Sequence, residues 1–450
     1  MKILIKNAVV YVNDGRGTII DPGYVAIEGG YVVSVDPEGS LASERAEPDL
    51  VIDACGGVVI PGLVNAHTHF FQTFLRGTGE GKELYDWLSG AVWPFAKAMT
   101  EEDFYYAAML GCVEALKGGT TCIFENHYIN TSPGNADRVI EAMGESGIRG
   151  ILARGYADRN YDPAFIETED EVMAELERLL EKWHESFGGR IRVAPGPLSP
   201  VRCTPRLFKR TAEFARSNDL HIHIHVAETK RVREGTVETY GMTNVRFLDN
   251  VGLLGPKAHL VHSVWVDRDE YRIVKESGSS VVHCPVSNMY LGSGVAPVVD
   301  YLTNDINVAL ASDGPASNDT HDMFEVMKAA VCLQRVARLD AGCIRAEDVF
   351  HMATLGGAHA LGDHQIGILS PGMKADVVIL DIDKAHIQPC HNLTASLVYN
   401  VRSTDVRTVI VDGRPVVMDG RVTFIDEQDL IGECRRRAKE VMRRAGVNPR

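Results

Sequence analysis

Hydrophobic and polar positions alternate with a period of two through the first sixty or so residues, in KILIKNAVVYV, GYVAIEGGYVVSV and DLVIDACGGVVI, with Gly, Asp and Pro turns between them. Successive side chains of a strand point to opposite faces, so this pattern predicts short strands of an antiparallel sheet with one buried face. From Pro61 the rhythm changes. The apolar runs TTCIFEN, RGILARGYA and IRVAPGPL are each followed by a stretch of helical period: NADRVIEAMGESG, EDEVMAELERLLEKWHES and TPRLFKRTAEFARSND. HIHIHV, HLVHSVW, SSVVHCPV and INVALASD continue the series. Strand-then-helix repetition implies parallel strands, because each crossover returns the chain to the same end of the sheet. About eight strand candidates between Pro61 and Asp313 predict a (β/α)8 TIM barrel.

After AEDVFHMATLGGAHALG, β character returns in MKADVVILDID and VRTVIVDGRPVVMDGRV. Neither end alone holds enough strands for a stable sheet, so the two termini are expected to build one small β-sandwich. The chain then divides into residues 1–58 plus 370–430 as sandwich, 59–369 as barrel, and 431–450 as a basic C-terminal helix with a solvated or interface face.

Composition narrows the class. With 45% apolar and 24% charged residues in 450, collagen, coiled coil and disorder are excluded. Forty-six basic against sixty-one acidic side chains give a net charge of −15, which repels a phosphate backbone and an anionic membrane surface. The expected partner is a small-molecule substrate, with no nucleic acid and no membrane, and a homo-oligomer is left open. No run of eighteen apolar residues occurs and the N-terminus lacks a signal-peptide core, so a cytoplasmic location is expected. Nine cysteines scattered from Cys55 to Cys434 without a CxxC pair fit reduced thiols and argue against a zinc-thiolate site.

Histidines carry the chemistry. His67 and His69 close the apolar segment PGLVNAHTHF, where a spacing of two sets both imidazoles on one face of a strand. HIHIHVAET sets His221, His223 and His225 on one face of a later strand with Glu228 beyond it; His262, His283 and Asp313 lie at or near further strand ends. The C-terminal ends of barrel strands converge on one mouth, so these distant residues can share a site. Three imidazoles and one carboxylate suit one divalent metal, zinc first and ferrous iron second, with a position kept for water. The expected ligands are His67, His69, His225 and Asp313. His221 and His223, earlier on their strand, are read as structural, and Asn318 and Asp319 as caps of the following helix.

The series PG-x-V-x-x-H-x-H, H-x-x-E, a strand of H-S/C-V type and A-S-D-G resembles the amidohydrolase superfamily over almost the whole chain. HVAET, HCPVSNMYLGSGVAPV and SDGPASNDTHDMFEVMKAA resemble, more narrowly, its branch of S-adenosylhomocysteine, 8-oxoguanine and isoxanthopterin deaminases and s-triazine hydrolases. The resemblance implies the same four metal ligands, Glu228 as proton shuttle and His262 as the histidine behind the ligands. No lysine is placed to bridge two ions, so one metal is expected. The implied reaction is hydrolytic deamination of an aminated aromatic N-heterocycle of purine, pterin or s-triazine type. A divalent ion makes hydroxide available near neutral pH. Asp313 takes the proton of water, His262 orients the nucleophile and Glu228 protonates the ring nitrogen beside the attacked carbon.

Substrate contacts are expected from Gln72, Trp87 or Trp93, His127 and His283. One position departs from the nucleoside deaminases of this branch: Ala96 stands where they carry a ribose-binding glutamate. A free heterocycle is therefore expected ahead of S-adenosylhomocysteine or methylthioadenosine. Release of chloride or alkylamine from an s-triazine is the nearest alternative reaction, and a metal-free structural relative is the alternative outside catalysis.

Overall fold

The computed structural model describes residues 1–40 and 47–447. Residues 41–46 of the expected sandwich and 448–450 of the expected basic helix lie outside the described residues. Five strands precede the barrel-like region: β1 (Lys2–Tyr11), β2 (Ile19–Glu28), β3 (Tyr31–Pro37), β4 (Leu50–Asp53) and β5 (Val58–Pro61). Eight follow: β6 (Leu63–Thr68), β7 (Thr120–His127), β8 (Arg149–Tyr156), β9 (Ile191–Pro197), β10 (Ile222–Val226), β11 (Ala258–His262), β12 (Ser280–His283) and β13 (Val308–Leu310). The last four are β14 (Val377–Leu380), β15 (Val406–Val411), β16 (Arg414–Met418) and β17 (Arg421–Val422).

β6 to β9 form one four-stranded sheet and β10 to β13 another, every pairing parallel. The helices between them are amphipathic and capped by their own sequence. Thr168 and Thr204 accept hydrogen bonds from the backbone N–H groups of Glu171 and Leu207, and each such cap contributes about 1 kcal/mol. Strands buried on both faces read as continuous apolar runs, which is why β7 and β8 show no alternation.

Strands from both ends of the chain share a single nine-stranded sheet, joined where β5 pairs antiparallel with β14 (Val59 opposite Ile379). A second apolar core of Ile5, Val10, Val25, Ile52, Val59, Val377 and Ile410 lies on this sheet, apart from the main core. The expectation of purely antiparallel order fails at β1, which pairs in parallel with β4 and β5. The segment after β3 returns the chain to β1's free edge running in the same direction, a long-range choice that local alternation does not encode.

The C-terminal helix begins earlier than expected, spanning Glu427–Ala445. It is neutralised on its inner face: Arg437 and Arg444 reach Asp103 at 3.2 and 2.7 Å, and Arg436 and Arg443 pair with Glu433 and Glu440 along the helix. All nine cysteines are free thiols. Among the described residues no helix is long and apolar enough to cross a membrane.

Candidate metal and catalytic site

The C-terminal ends of β6, β10, β11 and β13 bring the distant histidines and Asp313 together. Nε2 of His67 lies 3.2 Å and Nε2 of His69 3.4 Å from Oδ1 of Asp313. The ring of His225 lies 5.0 Å from that of His67 and 5.6 Å from that of His69, centre to centre. One ligand atom from each of His67, His69 and His225 falls within 4.8 Å of the others, and the same holds for His67, His262, Cys284 and Asp313.

The local backbone is bent to deliver these groups. Ala227, His262, Ser263 and Asp313 adopt left-handed φ values of 44, 66, 47 and 61°, a region costly for residues other than glycine and concentrated at functional sites. Thr229 accepts a hydrogen bond from the N–H of Val232 and starts the helix Lys230–Tyr240, so Glu228 stands at the elbow between strand and helix. Pro285 starts the helix Pro285–Tyr290, which carries Ser287 and Asn288 over the site.

Hydrogen bonds fix which nitrogen of each ring faces inward. Nδ1–H of His69 donates to the Asn126 carbonyl at 2.7 Å, and Nδ1 of His262 lies 3.0 Å from Oδ1 of Asn288. Nδ1 of His67 meets Nε2 of His223 at 2.8 Å, while its own Nε2 is buried without a hydrogen-bond partner. A ligand histidine held through its other nitrogen is the arrangement that metal sites use. The hydroxyl of Ser287 and the N–H of Gly314 each donate to Asp313 at 2.6 Å, one to each carboxylate oxygen.

Burial dominates the electrostatics. It holds His69 down to about 3, helped by the charge of neighbouring His67, and keeps His225 well below the usual imidazole range. Neutral imidazoles are the form that binds metal. Burial pushes Asp313 up, yet the approach of His67 at 3.2 Å and the neighbouring imidazoles of His262 and His69 outweigh it, and Asp313 stays well below the usual carboxylate range. Glu228 differs, because burial raises it and nearby Asp313 adds to the rise, with His262 opposing. Nε2 of His262 sits 3.9 Å from each of these two carboxylates.

His69, His225, Glu228, His262 and Asp313 line a cleft open to solvent, with Trp87, Tyr128, Tyr161, Leu198 and Leu291 among its walls. Gln72 and Trp87 line it. Gln72 donates to the Tyr128 hydroxyl at 3.0 Å, so it also positions that wall. His127 and His283 do not line the cleft. His127 is fully buried against Phe104 and Phe71, and neither ring nitrogen of His127 or His283 has a partner. Trp93 packs instead on Tyr161. Asn318 and Asp319 do not cap the next helix, since Asp322 does so through the N–H groups of Phe324 and Glu325. Asn318 binds the Ser312 carbonyl and Asp319 the N–H of Gly77.

Ser287, Asn288, Cys284 and His223 complete the site without having been singled out for it in the sequence. CPVSN directly follows β12, and a strand-end position beside His283 was the available signal for three of them.

The amidohydrolase family matches residues 58–416. A 5′-deoxyadenosine deaminase of Methanosarcina mazei is 37% identical over 442 residues, covering 98% of this chain and 99% of that protein. A 5-methylthioadenosine/S-adenosylhomocysteine deaminase of Pelotomaculum thermopropionicum is 36% identical over 442 residues, with the same coverage. Among solved structures, an adenosine deaminase of Xanthomonas campestris with bound zinc superposes with a TM-score of 0.92 at 30% identity, covering 98% of each chain.

Proposed function

Because this chain belongs to the amidohydrolase family, we propose that it hydrolytically removes the exocyclic amine of a purine, with an adenine nucleoside as the first substrate class. The observation that carries this reading is the convergence of His69, His225, His262, Glu228 and Asp313 in one aromatic-walled cleft, with the buried His67 beside them.

His67, His69, His225 and Asp313 would hold one divalent cation, zinc ahead of iron. The unpartnered inward nitrogen of His67 and the neutral state of the buried imidazoles fit that use. When bound, the ion supplies the Lewis acidity that makes hydroxide available at neutral pH. Asp313 accepts the proton of the attacking water and returns it to the departing amine. Glu228, which burial favours in its protonated form, delivers a proton to the ring nitrogen beside the attacked carbon and so prevents charge from building there. His262 spends Nδ1 on Asn288, which turns Nε2 toward both carboxylates and orients the nucleophile between them.

The choice of nucleoside over free base departs from the expectation drawn from Ala96. That residue is fully buried in the helix Trp93–Ala98 and does not line the cleft, so a missing acceptor there leaves the ribose question to other residues. Relatives at 36–37% identity that are named for adenosine derivatives support the nucleoside.

We read the two parallel sheets as one closed (β/α)8 barrel over residues 59–369, supported by β9 lying against β10 and β13 against β6. The N–H of Asp313 also donates to the His67 carbonyl across that second seam at 3.1 Å. The terminal sheet, residues 1–58 and 370–430, is read as a sandwich folded over its own core, with the basic helix as a third unit. The functional test is ammonia release by metal-loaded protein from adenosine, 5′-deoxyadenosine, adenine, an 8-oxopurine, a pterin and a chloro-s-triazine. Ammonia from the adenine nucleosides supports the reading; chloride or alkylamine in place of ammonia, or no product at all, overturns it.

A further inference from the structure

In the wall of the same cleft, Arg202 lies in the loop that follows β9. Its backbone is tied down: the N–H donates to the Ser199 carbonyl at 2.9 Å, and its carbonyl accepts from Asp158 and Arg159 at 3.2 and 3.3 Å. The half-buried guanidinium sits 5.4 Å from the ring centres of both Tyr85 and Tyr161, and all three residues line the cleft. Arg231, exposed at the start of the helix Lys230–Tyr240, covers the same Tyr85 ring at 4.2 Å.

What distinguishes these two arginines is the lack of any counter-charge. Nearby cations are all engaged: Arg154 with Glu167, Arg159 with the Tyr240 hydroxyl and the Pro200 and Cys203 carbonyls, Arg233 with Asp267, Lys97 with Asp162. Among the described residues, neither Arg202 nor Arg231 forms an ion pair or donates a side-chain hydrogen bond. A guanidinium offers five donors in a planar fork suited to an oxyanion, and leaving them unpaired in a half-buried wall is costly. Two like charges sharing one tyrosine raise that cost further. Such a group is stable in the absence of ligand because the aromatic faces partly compensate it.

We propose that Arg202, with Arg231 outside it, is a specificity residue that receives an oxyanion on the part of the substrate remote from the reacting amine. The inference rests on the deaminase reading and refines it: the purine lies over the histidines, and its substituent carries a carboxylate or phosphate to the Tyr85–Tyr161 wall. Fixed positive charge there selects anionic over isosteric neutral substituents.

The test compares adenosines bearing a 5′-thioether chain that ends in a carboxylate, the same chain ending in a carboxamide, and 5′-methylthioadenosine, with adenosine 5′-monophosphate as the phosphate arm. The wild-type enzyme should favour the carboxylate over the carboxamide by at least about tenfold in kcat/KM, and the KM for the carboxylate should rise with added salt while that for the carboxamide does not. Arg202→Met keeps the apolar stem and should collapse that ratio mainly through KM; Arg231→Met should lower it less. A larger ratio with the monophosphate than with the carboxylate assigns the oxyanion as phosphate. Equal use of anionic and neutral chains by the wild type, or a salt-independent KM, overturns the subsite while leaving deamination standing. No ammonia from any of the four substrates overturns the deaminase reading, and the subsite falls with it.

Discussion

Nδ1 of His67 lies 2.8 Å from Nε2 of His223, one strand-face position below His225, so a histidine deep between the strands holds a histidine at the mouth. As a ligand in the proposed metal site, His67 would need the lone pair of Nε2 free, which would put its proton on Nδ1 with His223 as the acceptor. His223 would then be a positioning residue, not inert filling. His223→Leu should weaken metal affinity by about 10–100-fold. Activity should return as metal is added in excess. Metal content after dialysis checks it, and undiminished retention in the variant would exclude the role.

Glu228→Gln keeps shape and hydrogen-bonding capacity but cannot deliver a proton as a carboxylic acid. A fall in kcat of about 10²–10⁴-fold is expected, with metal content and thermal midpoint close to those of the wild type. Single-turnover ammonia release is the readout, and near-normal turnover would remove Glu228 from the mechanism.

Ser287 donates to Asp313 at 2.6 Å, and Oδ1 of Asn288 accepts from Nδ1 of His262 at 3.0 Å. Ser287→Ala frees one carboxylate oxygen of Asp313, and Asn288→Ala leaves the ring of His262 free to turn. Each should cost about 1–3 kcal/mol of transition-state stabilisation, read as a loss of kcat greater than any rise in KM. A pure KM effect would place these residues in substrate binding.

How far the sequence reveals this site depends on how local each signal is. His67 and His69 announce themselves by spacing at the end of an apolar run, and His225, Glu228 and Asp313 by standing at other strand ends. Nothing local says that His223 will meet His67, because that contact depends on how strands 156 residues apart are registered across the interior. The parallel pairing of β1 with β4 is hidden for the same reason. The helix Glu101–Lys117 has buried residues on most of its circumference, so it lacks the one-sided stripe by which helices are recognised. Asp322 outcompetes Asn318 and Asp319 as a cap because those two are drawn to Ser312 and Gly77, partners fixed only in the folded chain.

Glu114, through His321, braces Thr68, which lies between His67 and His69. It accepts from Nδ1 of His321 at 2.8 Å, and Nε2 of His321 lies 3.0 Å from the Thr68 hydroxyl. Burial pushes the Glu114 carboxyl up, but the hydrogen bond and charge of His321, then Arg76, prevail and hold it down to about 2. An unfolded glutamate titrates near about 4.3. The stabilisation is thus fully present above that pH and is lost as pH falls through about 2. In metal-free protein, the gap in urea midpoint between wild type and Glu114→Gln should narrow from pH 5 to pH 3. A constant gap would contradict this assignment.

The central claim is a metal-dependent deamination at the histidine cluster. It is tested most directly by measuring ammonia release from adenosine and 5′-deoxyadenosine with protein stripped by chelator and then reloaded with one equivalent of zinc per chain. The account predicts no release from the stripped protein and, after reloading, one ammonia for each nucleoside consumed. Turnover indifferent to stripping, or a fully loaded protein that releases no ammonia from either nucleoside, would contradict it.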